Sequence, residues 1–154
     1  MSGFSQRVLV TGASGFIVAA LLVRLVGSGF QPLAALRGSS KCVSADVPVI
    51  HVEGLFSTMD WSSSLWNVQC VIHAAARVHV MREQASDPLK EFRKVNVEGT
   101  LELARQAAEA GVRRFIFISS IKVNGECTEL GRAYTADDVP APIDPYGISK
   151  LEAE

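Results

Sequence analysis

The segment Thr11-Gly-Ala-Ser-Gly-Phe-Ile-Val18 constrains the fold more than any other part of the chain. A short apolar run, Arg7-Val-Leu-Val-Thr11, leads into it. After it, Ile17, Val18, Leu21, Leu22, Leu25 and Val26 recur at about 3.6-residue spacing, which predicts a helix with one apolar face. A strand that turns through two glycines into such a helix brings the amides of a helix N-terminus close to a phosphate. Gly12 allows the tight turn, and Gly15 lets the backbone approach a pyrophosphate. A third glycine of this pattern would stand at position 18, where the chain has Val18. A β-branched side chain there is expected to push the helix off the strand or to crowd a bound cofactor. Gly27 and Gly29 stop the helix.

The rest of the chain alternates in the same way. Leu33–Leu36, Val47–Val52 and Val68–His73 read as the second to fourth strands, the last running into Ala74-Ala75-Ala76. Arg113–Ser119 reads as the fifth, and its unbroken apolar stretch Phe115–Ile118 predicts burial on both faces. Asp87-Pro88 opens the longest helix, with Asp87 as cap and Pro88 at the first helical position, and Gly111 ends it after Ala110. Residues Ile121–Ile143 read as loop, and Asp144-Pro145 caps a last helix inside which the sequence stops. Strands alternating with helices predict a doubly wound parallel α/β sheet of Rossmann type, in strand order 3-2-1-4-5 with helices on both faces.

With 154 residues, 48% hydrophobic and 20% charged, the chain is sized for one domain with a real core. Fifteen basic and sixteen acidic residues leave no basic footprint for nucleic acid and no polybasic membrane anchor. The apolar run Phe16–Val23 is too short to cross a bilayer, and no secretory leader is expected before the first strand. Cys42, Cys70 and Cys127 are widely spaced, which predicts reduced thiols in the cytoplasm, with Cys70 in the core. His51, His73 and His79 lack metal-ligand spacing and read as structural. Trp61 and Trp66 are expected to cover a sheet edge or a short helix. Arg77 and Lys122 are either phosphate or sugar contacts or solvated surface charges.

Five motifs stand in a fixed order: Thr11-Gly-Ala-Ser-Gly-Phe-Ile17, Val71-Ile-His-Ala-Ala-Ala76, Asn96-Val-Glu-Gly-Thr100, Ser119-Ser120 and Tyr146-Gly-Ile-Ser-Lys150. In this order the chain resembles the extended short-chain dehydrogenases/reductases, the NAD-dependent epimerase/dehydratase family of nucleotide-sugar enzymes. Residues Ala76–Met81 and Ile118–Gly125 are most similar to UDP-sugar 4-epimerases and 4-keto-6-deoxy-sugar reductases of bacterial surface-polysaccharide synthesis. The resemblance implies that Gly12, Ser14, Gly15, Phe16 and Ile17 hold the pyrophosphate of NAD or NADP. It implies that Ala74, Ala75 and Ala76 line the cofactor near the adenine, and that Asn96 holds the active-site geometry. Ser120, Tyr146 and Lys150 match the family's catalytic set, and Tyr146 and Lys150 also contact the cofactor. The adenine-side carboxylate would fall near Gly54-Leu55, and Leu55 does not supply it. The resemblance further implies that this chain is an N-terminal cofactor domain, ending before a sixth strand and a substrate-binding domain. A nucleotide-sugar, most simply a UDP-sugar, would be the substrate, and a homodimer would form through the two long helices.

Tyr146 and Lys150 are four residues apart, so a helix sets them on one face. An ammonium beside a phenol favours the phenolate, which can take a proton from a sugar hydroxyl while hydride leaves the same carbon. Ser120 can donate a hydrogen bond to that oxygen. Arg37, where NAD-selective relatives carry an acid, inclines the reading towards NADP, with Ser39, Ser40 and Lys41 beside it. A carbonyl or dihydroflavonol-type reductase, or a non-catalytic NAD(P)-binding protein, stays open as an alternative. Since the chain ends soon after Lys150, the last helix is expected to be poorly anchored and the 154 residues alone inactive.

Overall fold

A computed structural model describes residues 6–38, 47–78 and 85–154. Ser39, Ser40, Lys41, Cys42, His79 and Met81, named above, lie outside the described residues. Five parallel strands, β1 (Arg7–Thr11), β2 (Gln31–Arg37), β3 (Val49–Val52), β4 (Cys70–His73) and β5 (Arg114–Phe117), form one sheet in the order β3-β2-β1-β4-β5. This is the strand order expected from the sequence. Pairing sets Thr11 beside both Ala35 and His73, and His73 beside Phe117, so the carboxyl ends of four strands share one row. Ligands of such sheets bind at that end.

Side chains alternate along each strand, so each face has its own core. Leu9, Leu33 and Val71 pack with Trp61, Leu65, Leu103 and Ala107 on one face. Here α2 (Ser62–Leu65) and α4 (Gly99–Glu109) cover the sheet. Val8, Val10, Ala34 and Ile72 pack with Val18 and Leu22 of α1 (Phe16–Gly27) on the other. Burying a side chain of this size contributes about 1.5–3 kcal/mol before the entropy of ordering it is subtracted.

Several expectations are corrected. The buried stripe of α1 is Val18 and Leu22 with Leu21 and Leu25 at its margin, whereas Ile17 and Val26 are 69% and 43% exposed. A helix on a sheet touches it along one stripe, which this helix fills without them. Val18 is a core residue between α1 and the sheet. β5 is not buried on both faces, because it is an edge strand whose Ile116 is 43% exposed. The long helix is not uniform: α3 (Pro88–Arg93) passes through a π segment (Lys94–Glu98) into α4. Trp61 is fully buried beside α2, while Trp66 just after α2 is 71% exposed. Strands β3, β4 and β5 begin one or two residues later than the apolar runs suggest, within the usual uncertainty of element ends.

Candidate cofactor and catalytic site

Gly12 adopts φ +75°, and a Cβ on it would stand 2.8 Å from the Ala75 nitrogen. Only glycine lets the loop after β1 touch the strap after β4. Gly15 is the N-cap of α1, which has no side-chain cap and no acid in its first turn. By contrast, Asp87 caps α3 and Asp144 caps α5 (Pro145–Glu152), each accepting a backbone N–H. The Ala19 amide bonds Gly15 O; the three amides before it, on Phe16, Ile17 and Val18, precede the helical ladder. Bare amides at the positive end of a helix fit an anionic pyrophosphate.

A cavity of about 300 Å³ opens at this point. Thr11, Gly12, Ser14, Gly15, Ala74, Ala75 and Ala76 line one part of it, and Arg37, Val52, Gly54, Leu55 and Trp61 another. Phe16, 95% exposed, and Ile17, 69% exposed, are not among its lining residues. A Cβ on Gly99 would stand 2.8 Å from Leu55 O. The long helix thus packs directly against the segment that closes the cavity.

His73, at the end of β4, is fully buried. Its Nδ1 lies 2.7 Å from Thr11 Oγ1 and its Nε2 3.0 Å from Thr100 Oγ1, while the Ala75 N–H donates to Thr11 Oγ1. Burial, and secondarily the charge of Lys150, lowers its pKa to about 3, so the ring is a neutral bridge. His51 is exposed and bonds Gly38 O. Among the described residues no group of three or more His, Cys, Asp or Glu could hold a metal.

Asn96 sits in the π segment, nearly fully buried. Its Oδ1 accepts from the Arg77 N–H at 2.7 Å, and its Nδ2 donates to Arg77 O at 3.0 Å and to Ser149 Oγ at 2.9 Å. The Ser149 hydroxyl donates to Tyr146 O. A π turn re-aims one side chain of a helix, and such turns are frequent at functional sites. Here it joins the strap after β4 to α5.

Lys150 is buried, and its ammonium donates to Ile118 O at 2.7 Å while lying 3.8 Å from the centre of the Phe117 ring. Desolvation lowers its pKa to about 8, against the opposing pull of Glu154. Ser120 caps a 3-10 turn (Ile121–Val123), its hydroxyl accepting the Lys122 N–H. A Cβ on Gly147 would stand 2.7 Å from Lys122 O, so α5 rests directly on that turn. Lys122 pairs with Glu126 and Asp144, and Arg77 lies over the Phe92 ring. Tyr146 is half-buried, with the Phe92 ring 6.2 Å away and edge-on.

Gly12, Ser14, Gly15, Arg37 and Ala74–Ala76 therefore share one cavity. Ser120 lines a neighbouring hollow with Ser119, Asn124 and Tyr134, and Tyr146 and Lys150 line neither. The expected poor anchorage of α5 is corrected. Arg93 forks onto Glu152 at 2.8 and 2.5 Å, Ser119 bonds Glu154, and Asn96 and Ile118 O hold Ser149 and Lys150. Sequence reasoning gave no role to Gly99, Thr100, Gly147 and Ser149, though they stand inside two of its motifs, and missed Phe92. A glycine inside a helix costs about 1 kcal/mol against alanine, so Gly99 and Gly147 did signal a close approach.

A parallel sheet in this strand order, with a glycine loop leading into the first helix and a cavity at its carboxyl edge, defines a doubly wound α/β domain of Rossmann type. The chain belongs to the NAD dependent epimerase/dehydratase family, whose model matches residues 8–154. It is 42% identical over 150 residues to a UDP-glucose 4-epimerase of Vibrio cholerae, covering 97% of this chain and 45% of that protein. It is 33% identical over 153 residues to a GDP-6-deoxy-D-mannose reductase of Pseudomonas aeruginosa, covering 97% and 45%. Among solved structures, MoeE5 in complex with UDP-glucose and NAD aligns with TM-score 0.77 and 32% identity, over 96% of this chain and 46% of that one. The chain thus spans somewhat less than half the length of these relatives. Among the described residues no helix is long and apolar enough to cross a membrane.

Proposed function

We propose that this chain is the cofactor-binding part of an NAD(P)-dependent nucleotide-sugar epimerase or reductase acting on a UDP-sugar. The observation that carries the reading is the cavity shared by the glycine loop, the Ala74–Ala76 strap and Arg37 at the carboxyl end of the sheet, with Lys150 of α5 bonded to Ile118 O just beyond β5. The bare N-terminus of α1 fits a dinucleotide pyrophosphate, and a bound nicotinamide would accept or donate the hydride. The chain's own residues handle the proton. Tyr146 takes it from a sugar hydroxyl, or returns it to a carbonyl oxygen in the reverse sense. Lys150, one turn later, favours the phenolate through its charge, and Ser120 donates a hydrogen bond to the sugar oxygen. Asn96 and Ser149 hold the backbone of Tyr146. Arg37 supports a preference for NADP, since a guanidinium suits a 2′-phosphate.

The test is an assay of the protein at its natural length for UDP-glucose/UDP-galactose interconversion and for NADPH-dependent reduction of UDP-4-keto-sugars. Turnover that Tyr146→Phe abolishes supports the proposal. Turnover of unphosphorylated carbonyl compounds alone, or cofactor binding with no turnover, rejects it. The 154-residue chain by itself is expected to bind dinucleotide without turning over substrate, because relatives of this family are about twice its length.

A further inference from the structure

We infer that Phe92 and Arg77 form a positioning stack for the ring of Tyr146, an inference that rests on the acid/base reading of Tyr146. Three observations carry it. The Phe92 ring is buried and meets the Tyr146 ring edge-on, with centres 6.2 Å apart and planes at 62°. The Arg77 guanidinium lies over the same Phe92 ring, 5.2 Å from its centre. The backbone of Arg77 is held on both its N–H and its C=O by Asn96, one helical turn after Phe92.

The Asn96–Ser149 link restrains only the main chain of Tyr146, through the bond from Ser149 to Tyr146 O. That link does not itself act on rotation of the phenol about its side-chain bonds. An edge-on aromatic contact limits that rotation, and a cation over a buried ring holds the ring in turn. Arg77 directly follows Ala76, which lines the cofactor cavity, so the stack joins the cavity wall to the phenol. Proton transfer demands this: a misplacement of about 1 Å can cost a hundred-fold in rate.

The experiment compares Phe92→Leu, which keeps an apolar side chain but removes the ring, and Arg77→Gln with the unaltered protein and with Tyr146→Phe, all at natural length. Cofactor affinity is measured by fluorescence titration and stability by thermal melting. kcat and KM are measured on whichever of UDP-glucose, UDP-galactose or a UDP-4-keto-sugar is turned over. Phe92→Leu is expected to lower kcat roughly ten- to hundred-fold with KM and cofactor affinity unchanged. Arg77→Gln is expected to lower kcat less, with no loss of melting temperature, and it serves if Phe92→Leu does not fold. Crystal structures of the variants are expected to show the Tyr146 ring in more than one orientation. Unchanged kcat in both variants while Tyr146→Phe is inactive overturns the stack and leaves the acid/base reading standing. An active Tyr146→Phe overturns that reading instead. A Tyr146 ring unmoved in both crystal structures overturns the stack whatever the substrate.

Discussion

Asn96 and Ser149, 53 residues apart in the chain, meet at 2.9 Å with the amide donating to the hydroxyl, and both side chains are almost wholly buried. Removing one partner strands the other. Ser149→Ala leaves an Asn96 N–H without this acceptor, which costs about 1–3 kcal/mol. Urea denaturation is expected to show a lower midpoint with an unchanged slope. A midpoint equal to that of the unaltered protein would reject the bond's importance.

Gly147→Ala sets helix propensity against space. Alanine gains about 1 kcal/mol as a helix former, yet its Cβ would stand 2.7 Å from the backbone oxygen of Lys122. Backbone cannot yield as a flexible side chain does, so overpacking wins, with a net loss on the order of 1–3 kcal/mol. A variant more stable than the parent in urea contradicts this.

His73 makes stability fall with acid. Burial holds its folded pKa at about 3, below the ordinary histidine value of 6.5, so the folded state resists a proton that the unfolded state accepts. The stability it contributes is full above pH 6.5 and is lost as pH falls towards 3. The His73 ring resonances in NMR are expected not to titrate between pH 8 and 5. A midpoint near 6.5 would show a solvated ring instead.

Lys150 acts in the opposite range. Its folded pKa of about 8 lies below the ordinary lysine value of 10.5, so between these values the unfolded state binds more protons. Lys150 therefore makes stability rise with pH across that window, and Lys150→Met is expected to remove the rise. Paired denaturation curves at pH 7.5, 8.5 and 9.5 measure it; parallel curves for the two proteins refute it.

Arg37→Glu is expected to weaken NADPH binding roughly ten-fold or more while sparing NADH, since it replaces a phosphate partner with a repelling carboxylate. Isothermal titration with the two cofactors reads this directly. Equal losses for both would remove the case for NADP.

The sequence alone determined what local chemistry can determine. The apolar period placed all five strands and the main helices, Asp87 and Asp144 announced two helix starts, and paired glycines after β1 marked the turn into α1. Each of these depends on neighbours a few residues away. Only the tertiary structure decided the rest. A π turn has nearly the same apolar spacing as the α-helix around it, so Lys94–Glu98 could not be told apart by period. The exposure of Ile116 follows from β5 lying at the sheet edge. Ile17 and Val26, apolar by period, stayed exposed because α1 meets the sheet along a narrower stripe. His73 bridges Thr11 and Thr100, Gly147 meets Lys122, and Gly99 meets Leu55 across spans that no local pattern encodes. Those contacts arise when strands and helices pack to full density, and packing acts on distance in space, whereas periodicity acts on distance along the chain.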